Sequence, residues 1–135
     1  MILLFAGSTP MVRSALAEKM IEENETWRHL AIEGLAESME QTGEEFDEEQ
    51  LHAVVCNCAR TMQHDGYHLI LSVTDAKELL PILRNGIEED FLAIHLGDIA
   101  ENQRDSFDHV IDTANASIKD IYDFLQPLVS DPPEA

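Results

Sequence analysis

Apolar residues fall along this chain in two rhythms, short continuous runs and stretches spaced three or four apart, and the alternation predicts strands taking turns with helices. The run Ile2-Leu3-Leu4-Phe5-Ala6, closed by Gly7, reads as a strand buried on both faces. Residues 11–23 place Val12, Ala15, Leu16, Lys19 and Met20 at helical spacing, with Arg13, Ser14, Glu18 and Glu22 elsewhere on the circumference. Residues 27–32 form a second, shorter strand. The acidic stretch 33–49, with Gly34, Gly43 and few large apolar residues, reads mostly as loop. Asp47, with Gln50 three residues on, caps the next helix. Leu51, Val54, Val55, Cys58 and Met62 recur along one face of it and put Cys58 in the core. Asp65-Gly66 closes that helix, and residues 67–73 form a third strand centred on Leu69-Ile70-Leu71.

Asp75 and Glu78 offer a second capping pair, and Pro81 must lie within the first turn or kink the helix that ends at Asn85-Gly86. Residues 91–96 make a fourth strand ending in Gly97-Asp98, and His109-Val110-Ile111-Asp112 a fifth. Ile118, Ile121, Tyr122 and Leu125 mark a last helix that Pro127 ends, leaving 127–135 as a loose acidic tail behind a single domain of residues 1–126. Such alternation requires parallel strands joined by right-handed crossovers. The predicted fold is therefore an α/β three-layer sandwich, a mostly parallel sheet of about five strands with helices on both faces. In such folds ligands gather at the carboxyl ends of the strands. Those ends are Gly7 and Ser8, Glu33, Thr74 and Asp75, Gly97 and Asp98, and Asp112 and Thr113.

Composition narrows the functions available. The 135 residues suit one domain, and 44% apolar residues suffice for a core. Asp and Glu number 27 against 8 Lys and Arg, a formal net charge of -19 with a pI near 4.3. That surface repels a phosphate backbone, which argues against nucleic acid as partner. The same acidity serves solubility or a salty environment, or it offers a docking face to a basic protein partner. The longest apolar run, residues 1–6, is too short for a signal peptide or a bilayer span, which argues against export and a membrane. Cys56 and Cys58, one residue apart, fit reduced thiols of a cytoplasmic protein better than a zinc knuckle or a disulfide framework. No two of the six histidines have zinc-like local spacing, so His29, His68, His95 and His109 are assigned to packing or surface. Glu33, Asp75, Asp98 and Asp112 are either a cation site at the strand ends or caps and solvated loop residues.

The segment joining the first strand and helix is Gly7-Ser8-Thr9-Pro10-Met11-Val12-Arg13-Ser14. Against the pattern G-x-x-x-x-G-K-[ST] it keeps the first Gly and the final Ser, puts Arg13 where Lys belongs and Val12 where the second Gly belongs. Following a strand and opening a helix, it resembles a degenerate P-loop of the small-molecule kinases related to adenylate, shikimate and adenylylsulfate kinases. Residues 65–71 resemble the third strand of that family, and residues 107–113 its fifth. The resemblance implies a P-loop kinase-like fold with ATP and magnesium as cofactors. It implies that Gly7, Ser8, Thr9, Arg13 and Ser14 surround the nucleotide phosphates and that Ser14 and Asp75 lie at magnesium. Arg13, Asp75 and Arg104 become the catalytic candidates.

Departures fall where the chemistry should be. Pro10 removes one N–H from the loop, Val12 adds a branched wall, and Ser72 takes one alignment of the acidic position near the third strand's end. The connection 98–108 is too short for a helical lid and offers Arg104 alone. Glu37, Glu40, Glu44, Glu45, Asp47, Glu48 and Glu49 would repel an anionic acceptor. The expectation is a catalytically impaired kinase-like domain acting as a binding or regulatory module through its acidic surface. The alternative is an active nucleotide-binding phosphotransferase with a variant P-loop.

Overall fold

Five consecutive apolar residues can be buried on both faces only if their backbone is paired on both sides, and β1 (Ile2–Ala6) takes the centre of the sheet. The computed structural model describes residues 1–7, 10–41, 48–87, 91–99, 101–113 and 117–129. With β2 (Trp27–Ala31), β3 (His68–Val73), β4 (Phe91–Leu96) and β5 (His109–Ile111), the strand order is β2-β3-β1-β4-β5 and every pairing is parallel. Ile2 sits opposite Leu69 on one side and Phe91 on the other. The α/β three-layer prediction holds.

The period of two along β1 divides the core. Ile2, Leu4 and Ala6 face α2 (Ile32–Gln41), α3 (Glu48–His64) and α4 (Leu79–Gly86), where Ile32, Val55, Ala59, Leu79, Leu80 and Leu83 are buried. Leu3 and Phe5 face α1 (Pro10–Glu23) and α6 (Ile118–Val129), against Leu16, Ala17, Met20, Ile121 and Leu125. A short α5 (Glu101–Arg104) connects β4 and β5. Among the described residues no helix is long and apolar enough to cross a membrane.

Several local expectations change. The stretch expected as loop contains α2, which begins at Ile32, a residue assigned by sequence to the strand. Ile32 and Leu35, three apart, pack this helix on the core, and Glu33 in its first turn complements the positive end of the helix dipole. Asp47, the expected cap of α3, lies outside the described residues. Cys56, not Cys58, is the buried cysteine, because the inward face of α3 runs through Val55, Cys56 and Ala59. At its end Gly66 turns left-handed, with φ +87°, and the Tyr67 N–H returns to the Met62 carbonyl at 2.9 Å.

Asp75 does not cap α4. Its Oδ1 accepts the Lys77 N–H at 2.9 Å in the turn before the helix, and of the two positions open to Pro81 the structure shows the first turn. Pro127 does not end α6, which runs to Val129. The proline falls near the end of the helix, where one missing N–H leaves the preceding turns intact. The α6 start is fixed by a reciprocal cap, Ser117 Oγ accepting the Asp120 N–H and Asp120 Oδ2 accepting the Ser117 N–H, both at 3.1 Å. Residues 130–135, most of the expected tail, lie outside the described residues.

Candidate functional site

The largest correction concerns Arg13. Residues 13, 16, 17 and 20 recur at the spacing that makes one helix face, so a charged residue stands on the buried stripe of α1 beside Leu16, Ala17 and Met20. Its residue type disguised that register. Arg13 is 2% exposed, and its guanidinium lies at the carboxyl ends of β1, β2 and β3. Nη1 donates to the Gly7 carbonyl at 2.7 Å. Nη2 donates to Glu33 Oε1 at 2.9 Å and to Thr74 Oγ1 at 3.1 Å.

Glu33, the second residue of α2, completes the arrangement. Its Oε1 also accepts the Thr74 backbone N–H and the Thr74 hydroxyl, each at 3.1 Å. The hydroxyl thus donates to the carboxylate while its lone pair takes the arginine. The Glu33 side chain remains 49% exposed, so this ion pair has one buried and one hydrated member.

Gly7 is conformationally required. Its φ of +80° lies in the left-handed region, and its N–H donates to the Thr74 carbonyl at 3.1 Å. A Cβ there would sit 2.6 Å from the His95 imidazole and 2.7 Å from the Leu96 carbonyl oxygen. His95 Nδ1 lies 3.2 Å from the Gly97 carbonyl, which assigns the proton of the neutral ring to Nδ1 and leaves Nε2 an acceptor. Burial holds the His95 pKa below its usual value, against opposing effects of the Gly97 carbonyl and Asp75. Beside it opens a cleft of about 470 Å³ on the α4 side of the sheet, with Thr74, Asp75, Lys77, Arg84, His95 and Phe107 in its walls. Arg84 braces the far wall through the Ser106 carbonyl at 2.8 Å and Asp108 Oδ2 at 3.2 Å.

The remaining candidates scatter. Ser14 is half-buried on α1, Asp75 is exposed and bonded to its own turn, and Arg104 is exposed at the end of α5. Ser8 and Thr9 lie outside the described residues. Among the described residues no group of three His, Cys, Asp or Glu side chains could hold a metal, so Glu33, Asp75, Asp98 and Asp112 do not converge.

No protein-family model and no curated protein matches this sequence. Solved structures do resemble it. The Deinococcus radiodurans tunicamycin resistance protein aligns at a TM-score of 0.70 and 12% identity, over 98% of this chain and 98% of that one. The Mycobacterium tuberculosis APS kinase aligns at 0.69 and 16% identity, over 95% and 96%. A gluconokinase from Sinorhizobium meliloti aligns at 0.50 and 12%, over 98% of this chain and 75% of its own. This chain has the P-loop kinase-like fold.

At these identities the likeness is one of fold alone. Gly7 closes β1 and Arg13 lies in the first turn of α1, with its side chain turned inward to its own protein. Sequence reasoning also missed the neighbouring pair His29 and Ser72, whose Nε2 and Oγ lie 2.8 Å apart on the α1 side of the sheet. Ser72 is only 4% exposed. Alternation along β2 and β3, with Arg13 recognised as buried, would have placed them together.

Burial is the main effect lowering the His29 pKa, the positive Arg13 nearby adds to it, and Glu18 opposes both. The unfolded chain therefore takes up this proton more readily than the folded one, with the unfolded histidine near 6.5. Stability from a neutral His29 is complete above that value and is lost as pH falls through the lower folded value. Thermal melts between about pH 7.5 and about pH 5.5 should show the native protein losing stability relative to His29→Gln. Parallel curves for the two proteins would refute this.

Proposed function

We propose that this chain is a P-loop kinase-like domain that does not transfer phosphoryl groups and acts as a binding or regulatory module through its acidic surface. The observation that carries the reading is the state of Arg13. A phosphate-binding loop needs unspent backbone N–H groups and a cation not already neutralised. Here the Gly7 N–H is taken by the Thr74 carbonyl, and the guanidinium is held by Gly7, Thr74 and Glu33. A phosphate approaching Arg13 would meet the Glu33 carboxylate first.

The residues present do not fit a nucleotide with magnesium. Asp75 Oδ1 is bonded within its own turn, and Pro10, first residue of α1, has no N–H to offer. Among the described residues the connection after β4 holds the four-residue α5 and no longer helix, with Arg104 exposed. What remains unspent is charge, a net -19 over 135 residues, which suits a basic partner whose association weakens with added salt.

Isothermal titration with ATP and GTP, with and without magnesium, is expected to give no binding tighter than about 1 mM. Micromolar binding of magnesium and ATP, abolished by Arg13→Ala in a folded protein, would defeat the reading. It would restore the active phosphotransferase, with Arg13 and Ser14 on the phosphates and Asp75 at the magnesium.

A further inference from the structure

Three donors converge on a single oxygen of Glu33. Arg13 Nη2 lies 2.9 Å from Oε1, and the Thr74 N–H and Thr74 hydroxyl each lie 3.1 Å from it. A cation, a backbone N–H and a hydroxyl aimed at one point make a donor set suited to a small oxyanion, and charge assistance makes such bonds short and strong. Two of the three groups are fixed without the carboxylate. Arg13 is buried and anchored by Nη1 on the Gly7 carbonyl, and Thr74 is tied through its own carbonyl to the Gly7 N–H. The occupant is a flexible side chain on the first turn of α2, 49% exposed with solvent beside it.

We propose that Arg13 and Thr74 form a binding site for a phosphate or carboxylate group, and that Glu33 occupies this site as an internal ligand. The proposal rests on the reading above that Arg13 is neutralised from within, and it says what that neutralisation displaces. Any outside anion must compete with a carboxylate that is always present. Its apparent affinity is then reduced by the fraction of molecules in which Glu33 has swung away. The native chain is thus a weak binder because it is self-liganded, with the donors still in position.

The test uses the full chain and inorganic phosphate, with acetate and ATP as separate probes, all without magnesium and at constant ionic strength. Glu33→Gln keeps the shape of the side chain and removes its charge. It should bind inorganic phosphate about tenfold or more tighter than the native protein, seen by calorimetry and as a rise in melting temperature. Adding Arg13→Gln to that variant should remove the gain. Should Glu33→Gln not fold, Glu33→Asp, whose carboxylate is one methylene short of the donors, takes its place with the same expectation.

In the native protein, high phosphate should shift the Thr74 amide resonance. Equal phosphate affinity in native and Glu33 variants, or a gain that survives Arg13→Gln, would overturn the proposal. Comparable gains with phosphate, acetate and ATP identify a site for free anions. A gain larger with ATP identifies a phosphoryl group carried by a nucleotide. Tight magnesium-dependent ATP binding by the native chain would instead overturn the proposed function, a result separate from the behaviour of the Glu33 variants.

Discussion

Gly7→Ala is expected to destabilise the fold by about 2–6 kcal/mol, a large part of the roughly 5–15 kcal/mol that holds a domain of this size together. Backbone strain from a side chain in the left-handed region supplies about 1–3 kcal/mol. Forcing a methyl group into a packed site supplies about 1–3 kcal/mol more. The second contribution cannot relax fully, because one neighbour, the Leu96 carbonyl at 2.7 Å, is backbone of a paired strand. The other, the His95 imidazole at 2.6 Å, can be removed. Gly7→Ala/His95→Ala should therefore recover part of the loss and not all of it. Urea unfolding measures both, as a lower midpoint with the slope preserved. A Gly7→Ala protein within about 0.5 kcal/mol of the native one would contradict the loop geometry.

The second large effect is an asymmetry. Glu33→Ala should cost more than Arg13→Met, although Glu33 is the exposed partner. Removing Glu33 leaves a guanidinium that is 2% exposed without its counter-charge, at a cost of about 3 kcal/mol. The Gly7 carbonyl and Thr74 Oγ1 still accept from Arg13, which keeps the value at the low end of the range for broken buried pairs. Arg13→Met removes the buried charge itself, keeps an apolar stem against Leu16 and Ala17, and leaves a carboxylate already half in water. Its cost should be about 1–2 kcal/mol, mostly hydrogen bonds. Equal costs, or the reverse order, would mean the guanidinium is solvated in a way this geometry does not allow.

The layer order of this protein was legible because it depends on apolar periods. The β1 run, the alternation with helices and the edge at which ligands would gather all follow from residue type alone. What misled was residue type standing in for burial. Arg13 reads as surface because arginine is charged, yet its place in the 13, 16, 17, 20 stripe is the stronger signal. Gly34 and the acidic residues of α2 read as loop, yet Ile32 and Leu35 pack a helix on the core there. Cys56 displaced Cys58 because the buried face of α3 runs through Val55, Cys56 and Ala59, about a quarter-turn from the face that the apolar spacing marks. The contacts of Glu33 were beyond sequence, since they bring together α2, α1 and the turn after β3, which only the folded sheet sets side by side.

The sheet order also bears on how the chain reaches this state. Of the five strands, the earliest in sequence is the one at the centre, and both of its neighbours, beginning at His68 and Phe91, follow much later. Until β3 and β4 have emerged, Ile2-Leu3-Leu4-Phe5-Ala6 has no partner within its own chain. Strand pairings this distant in sequence favour slow folding, with loop closure preceding any reward from pairing. During synthesis this unpaired hydrophobic strand is open to pairing with a second nascent copy, so chaperone protection counts in the interval between the emergence of β1 and that of β3.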